Sequence, residues 1–326
     1  MNHRQRIERV LSGEKPDRIP ISFWRHFPVA DQTPEQLAKY TLDFQQRFDF
    51  DFVKVSPSSS FCLKDWGVVD SWQGNPEGTR EYQDAVVKTP EDFEKIHPLD
   101  PKKGNLGTQL KCLKLIRAHL DQSTPIIQTI FSPLSQIKNL VGKDSFCFFL
   151  RKYPNELKKS LDIITKTTIN FIQECRRIPI DGIFYAVQHA QYGMLSESEF
   201  IDFGKFYDLR ILSTIESFWL NITHIHGNDI MFEQVKEYPV QIINWHDRDT
   251  YPSLFEAREL SNKVFCGGLS RIKSMVIGDR TAIIDECKNA KNLTNGYRFI
   301  LGTGCVLPIT TPEINIRTAR EFVDEI

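Results

Sequence analysis

No apolar run in this chain approaches the ~18 residues that a membrane-spanning helix needs. The longest conspicuous one is Phe146-Cys147-Phe148-Phe149-Leu150. The opening Met1-Asn2-His3-Arg4-Gln5-Arg6 lacks the apolar core of a secretory signal. Seven cysteines (62, 112, 147, 175, 266, 287 and 305) are scattered, odd in number and never spaced CxxC. That pattern suits free thiols in a reducing cytosol and not a disulfide framework. With a net charge of −1 there is no excess of either sign, which speaks against a nucleic-acid or polybasic membrane surface. Neither a GxGxxG nor a P-loop pattern is present, so a doubly wound nucleotide-binding fold is set aside. These absences predict a soluble, cytoplasmic protein that acts on small molecules, with no nucleic-acid or membrane partner.

Apolar residues are plentiful: 40% of 326, with 23 Phe among them, enough for a large core. They gather into short strand-like runs at Arg18–Trp24, Asp51–Ser56, Pro125–Phe131, Asp181–Ala186, Ile222–His226, Val240–Trp245, Lys263–Leu269 and Tyr297–Gly302. Several are nearly continuous, as expected for parallel strands covered on both faces. Helices are predicted over 3–12, 33–48, 106–120, 134–150, 154–177, 196–219, 229–237, 252–262 and 279–294, with a last one from Thr311-Pro312-Glu313. Thr33, Pro34 and Gln36 form the start signal of the second, as a capping box requires. Phe200, Phe203 and Phe206 are expected in the core. Residues 61–103 break the rhythm with a hairpin (around 66–72 and 80–87) and a helix start at Thr89-Pro90. They read as an insertion over one end, with Asp65 and Trp66 at its rim. Strands alternating with helices in this number predict an α/β fold. The expected architecture is a (β/α)8 TIM barrel with an N-terminal helical extension and an insertion after strand 2, one domain over 1–326.

Barrel enzymes act at the C-terminal ends of their strands. Arg25 and His26 follow the first run, Gln188 and His189 the fourth, His224 and His226 end the fifth, and His246, Asp247 and Arg248 follow the sixth. Cys305 comes just after the eighth. Most of these are His or Arg, so the mouth should be weakly electropositive and suited to an anionic ligand. In a strand, His224 and His226 point the same way, and imidazole is a common zinc ligand. The third ligand nominated by this reading is Cys305, in Gly302-Thr303-Gly304-Cys305. The plainer alternatives are that a buried Cys is inert packing and that the two histidines hydrogen-bond within a polar mouth. Cys266, beside Gly267-Gly268, reads as packing.

Three segments resemble the uroporphyrinogen decarboxylase superfamily, which also contains cobalamin-dependent methyltransferases. Gly13-Glu14-Lys15-Pro16-Asp17-Arg18-Ile19-Pro20 resembles its N-terminal signature. His224-Ile225-His226-Gly227-Asn228 is similar to the His-x-Cys-Gly-Asn of the methyltransferase branch. Gly302-Thr303-Gly304-Cys305, with Pro308, Thr311-Pro312-Glu313 and Asn315-Ile316, is similar to that branch's closing segment. The resemblance implies a (β/α)8 barrel and a zinc ion on His224, His226 and Cys305, with His226 departing from the branch's Cys. The decarboxylase branch fits less well. Val29 stands where its second arginine is expected, Ser-Pro-Ser-Ser-Ser follows strand two in place of its pyrrole-binding Asp, and Thr303 replaces its late His.

The expectation is therefore a zinc-dependent methyltransferase between a corrinoid, carried by a separate protein, and a thiol. Arg25, His246 and Asp247 are the catalytic candidates, with a structural His246–Asp247 hydrogen-bond pair as the equal alternative. Gln188, His189, Tyr192 and Arg248 are candidates for substrate binding. Two other readings stand beside it. One is a decarboxylase or lyase acting on a polycarboxylate, with Arg25 and Arg248 as clamps. The other is a non-catalytic tetrapyrrole or corrinoid binder.

Overall fold

A computed structural model of the protein describes residues 1–325. Its strands are β1 (Val53–Val55), β2 (Asp70–Ser71), β3 (Glu81–Tyr82), β4 (Ile126–Phe131), β5 (Gly182–Val187), β6 (Ile222–Ile225), β7 (Ile242–Trp245), β8 (Val264–Leu269) and β9 (Phe299–Thr303). Seven of them form one parallel sheet in the order β1-β4-β5-β6-β7-β8-β9. Every residue of these seven is buried, because side chains on one face fill the barrel and those on the other meet the helices. The eighth place is held by Pro20–Ser22. Ile21 bridges Leu301 in β9, and its carbonyl accepts from Asp51 N at 2.9 Å, just ahead of β1.

The expected first strand, Arg18–Trp24, is thus reduced to a single bridge. Pro20 has no N–H to give a ladder, and the Ile21 amide donates to the Asp51 carboxylate at 2.8 Å instead. Asp51 is fully buried and also receives Arg6 at 2.6 Å, Arg18 at 2.7 Å and His3 at 3.0 Å. Asp17 takes the other face of Arg6. The signature-like segment around Asp17-Arg18 therefore seals the N-terminal end of the barrel, opposite the strand ends where chemistry is expected.

The helices follow the sequence with local differences. Thr33 caps Pro34–Phe48 by accepting from Gln36 N, one half of the expected box. The 134–150 stretch is two helices, Pro133–Val141 and Phe146–Lys152, parted at Gly142. Over 196–219 the helical part runs from Glu197 to Leu212 with a π turn at Ile201–Lys205. Phe200 and Phe203 are buried, but Phe206 is 57% exposed and is not core. The 229–237 helix shrinks to Phe232–Val235.

Residues after β1 form the insertion, with β2 and β3 paired antiparallel. Asp65 and Trp66 are not rim residues. Asp65 caps helix Gly104–His119 by accepting from Asn105 N at 2.8 Å, and buried Trp66 donates to His97 O. The rim is reached further on, where Ile309 N, beyond β9, donates to Pro76 O at 2.7 Å. Among the described residues no helix is long and apolar enough to cross a membrane.

Candidate metal centre

At the C-terminal end of the barrel, His224, His226, His246 and Cys305 each offer a ligand atom, all within 4.8 Å of one another. His224 lies in β6 and His226 one residue beyond it; the period of two turns both imidazoles to the barrel axis. Cys305 Sγ lies 3.5 Å from His224 Nε2 and 3.7 Å from His226 Nδ1. Tetrahedral zinc with ordinary Zn–N and Zn–S bonds separates such donors by about 3.6 Å. The spacing fits that ion.

Two glycines allow the approach. Gly227 has φ +97°, and a Cβ there would stand 2.3 Å from Gln191 Nε2, which donates to His226 O. At Gly304 a Cβ would meet Trp245 O at 2.5 Å and His246 Cα at 2.7 Å. Any side chain at Gly304 would push the Cys305 loop off the end of β7.

The donor set is prepared for a cation. Burial pushes the Cys305 thiol up, but His224, His226 and His246 outweigh it and hold the group well below the usual thiol range. Cys266, buried without imidazoles beside it, is pushed up instead. Burial pulls the His224 imidazolium down, keeping the ring neutral as a ligand must be. Its Nδ1 is 2.7 Å from Asn244 Oδ1, while Asn244 Nδ2 donates to Cys266 O and Thr303 O. Since that amide nitrogen is committed to carbonyls, Oδ1 accepts from His224 Nδ1–H and Nε2 keeps its lone pair. His246 is buried, and its Nε2 has no hydrogen-bond partner among the described residues. A buried orphan nitrogen in a ring 4.9 Å from that of His226 is what a bound cation or an incoming proton would satisfy.

The other sequence candidates divide. His189 is buried, touches Ser135 Oγ through Nδ1 at 3.2 Å, and has its pKa lowered to about 3 by burial, with Lys138 and His226 adding to it. The backbone of Gln188 is held by Ser135 and Gln191. Tyr192 stands at the rim, 47% exposed, with its hydroxyl on Glu197.

Arg25 is directed away from the cluster. Its guanidinium lies 5.3 Å over Phe27 and 5.1 Å over Phe44 of helix Pro34–Phe48. Alternation along the backbone explains this, because Trp24 packs on Phe184 in β5 and His26 neighbours Cys305, leaving the opposite side for Arg25. Asp247 and Arg248 are also turned away, by a tight turn in which Asp247 N bonds Trp245 O. Asp247 accepts from Gly268 N, and Arg248 donates to Gly268 O and Asn289 Oδ1. Together they tie the end of β8 to helix Arg280–Thr294. Among the described residues there is no hydrogen bond between the His246 and Asp247 side chains, so the alternative of a structural pair is not realised.

One sequence candidate changes its role at the cluster, and two neighbours were not foreseen. His246 enters the cluster as a fourth donor, not as a partner of Asp247. Arg271 pairs with Glu77 of the insertion at 2.6 Å and lies close enough to Cys305 to feel its charge. Lys54 of β1 is buried and feels the same charge. A lone Lys inside an apolar run was the available signal, since lysine is rarely buried without a reason.

In fold, the chain is similar to a methyltransferase from Methanosarcina mazei, 20% identical, covering 100% of this chain and 99% of that one at a TM-score of 0.87. It is also similar to a B12-independent methionine synthase from Shewanella sp. W3-18-1 in complex with selenomethionine. That pair is 13% identical over 94% of this chain and 93% of the other, with a TM-score of 0.62. No curated protein matches it. The family described as Uroporphyrinogen decarboxylase (URO-D) matches residues 2–326. With that match spanning the barrel and its cluster alike, the chain belongs to the uroporphyrinogen decarboxylase family.

Proposed function

We propose that this protein is a zinc-dependent methyltransferase that moves a methyl group between a corrinoid and a thiol. The carrying observation is the donor set: a thiol held below its usual range, with three imidazoles, converging within 4.8 Å. A sulfur that is already deprotonated loses no proton to bind a cation. The names of the two similar structures, a methyltransferase and a B12-independent methionine synthase, agree with methyl transfer, while the corrinoid is what the motif resemblance alone implies.

Zinc held by His224, His226 and Cys305 would supply a Lewis acid that lowers the pKa of an entering thiol. The chain's own residues do the rest. Asn244 keeps His224 Nε2 free, and Gln191 holds the His226 backbone. His246 Nε2, buried and without a partner, receives the thiol's proton. An imidazole at His226, where the branch has a thiolate, leaves the site more positive, so a thiol ionises more readily but attacks less strongly. The corrinoid arrives on a separate protein at the mouth, beside Tyr192 and the Glu77–Arg271 pair. A polycarboxylate decarboxylase has less support, because its two arginine clamps, Arg25 and Arg248, are engaged elsewhere.

The test uses zinc-loaded protein, free methylcobalamin and a panel of small thiols. Thiol-dependent loss of the methylcobalamin spectrum, abolished by Cys305→Ser, is the expected result. Full zinc occupancy with no demethylation by any thiol would overturn the reading.

A further inference from the structure

Between β2 and β3 the insertion sends a short strap onto the barrel mouth, where it touches loops that follow three different strand positions. Gly78 seats against the loop after the Ile21 bridge; a Cβ there would stand 2.6 Å from His26 Cβ and 3.4 Å from Pro28 Cδ. Glu77 meets Arg271, beyond β8, at 2.6 Å. Pro76 O accepts from Ile309 N, beyond β9, at 2.7 Å. Glu77 and Arg271 are both close enough to His226 to act on its charge, so this ion pair lies at the metal cluster. Cys305 is only 7% exposed, and His246 is buried with it. A buried ligand set that must admit a reactant needs a cover that moves.

The strap is fastened unequally. At its root Arg80 makes a buried ion pair with Asp31 at 2.7 Å and also donates to Pro28 O. Its tip is braced from within by Asn75, which accepts from Glu77 N through Oδ1 at 2.9 Å and from Gly78 N and Trp72 Nε1 through its carbonyl. Among the described residues, the polar ties from tip to barrel are the Glu77–Arg271 pair and the Pro76–Ile309 hydrogen bond. Partly exposed ion pairs hold weakly, and a segment with few ties opens before the rest of the fold. We propose that residues 72–78 form a lid that swings off the mouth as a unit, breaking both ties while Arg80 stays on Asp31, and so admits small reactants to Cys305. The lid rests on the reading of the cluster as the working site, and not on methyl transfer.

The test reads amide hydrogen exchange on the full-length protein, with and without zinc, and alkylation of Cys305 by iodoacetamide on the metal-free form. Two references sit in the same molecule: the Leu307 amide, bonded to Trp24 O at 2.8 Å, and the buried thiol of Cys266. Protection of the Ile309 amide should lie about ten-fold or more below that of Leu307. Glu77→Gln should lower it a further two- to five-fold or about that. Gly78→Ala changes no charge and unseats the strap from His26, so it should lower protection about ten-fold or more. Cys305 alkylation in Gly78→Ala should rise by the same factor, with Leu307 and Cys266 unchanged. An Ile309 amide as protected as Leu307 would overturn the lid. So would faster exchange with no gain in Cys305 alkylation. Cys266 alkylated in step with Cys305 would overturn it as well, since the reagent would then enter by unfolding. No arm reads methyl transfer, so failure of that reading leaves this result standing.

Discussion

Asn244 and His224 are register partners on β7 and β6, and the amide oxygen of one accepts the Nδ1 proton of the other at 2.7 Å. The amide nitrogen of Asn244 is spent on two backbone carbonyls, so the residue can only accept from His224. The tautomer of the imidazole is thereby set by the sheet, and its free nitrogen faces Cys305. Removing the outer partner of a ligating histidine typically costs 10–100-fold in metal affinity. Asn244→Leu should weaken zinc by about that factor with His224 still present. Competition with a chromogenic chelator measures it; unchanged affinity would show that Asn244 does not orient the ligand.

Protein purified without chelators should carry near-stoichiometric zinc. His224→Ala and Cys305→Ser should each lower the metal content, while Cys266→Ser, whose sulfur is buried away from the imidazoles, should not. Elemental analysis decides this directly, and a wild type that takes up no zinc on titration would remove the metal centre.

His226→Cys recreates the ligand set of the methyltransferase branch. Zinc should still bind, because imidazole and thiolate ligate at similar distances. The added negative charge should make a bound thiol ionise less readily but attack faster once ionised. His226→Ala is the control. Equal zinc affinity for wild type, the Cys form and the Ala form would show that His226 is not a ligand.

His246 is expected to matter for turnover more than for zinc retention. His246→Ala should keep most of the metal, held by His224, His226 and Cys305, and lose ~10²–10⁴-fold in thiol-dependent demethylation. A large loss of zinc with little change in rate per zinc would make His246 a structural ligand and not a proton acceptor.

A stability prediction comes from the sealed end of the barrel. Burial pulls the His3 pKa down, but hydrogen bonds to Asp49 and Asp51 outweigh it and raise the pKa from 6.5 to about 9. A raised pKa means that protonation favours the folded state. The contribution is full below pH 6.5 and is lost as pH rises through 9. His3→Ala should therefore be less stable than wild type at pH 6 by roughly 1–3 kcal/mol, with the gap closing by pH 10. Urea unfolding across that range checks it; a gap independent of pH would remove the ion pairs as its cause.

Much of this was readable along the chain. Strands β4 to β9 fall on the expected apolar runs, β5 and β9 each extending one residue past them, because strands covered on both faces must be apolar throughout. The common direction of His224 and His226 is a matter of strand period alone. Cys305, 79 residues from His226, could be nominated because barrel topology delivers every strand end to one mouth.

What the tertiary structure decided is which side chains actually face that mouth. The first strand was lost because the Asp51 carboxylate took the Ile21 amide, a contact that apolar content does not announce. From the second residue past a strand's end the period of two no longer holds. A single tight turn sends Asp247 and Arg248 outward, and alternation sends Arg25 toward helix Pro34–Phe48. His246 and Lys54 reach the cluster for the converse reason: their direction depends on how neighbouring strands curl into a closed barrel. Sequence spacing determined the ligand pair and the architecture, and closure of the sheet determined the company they keep.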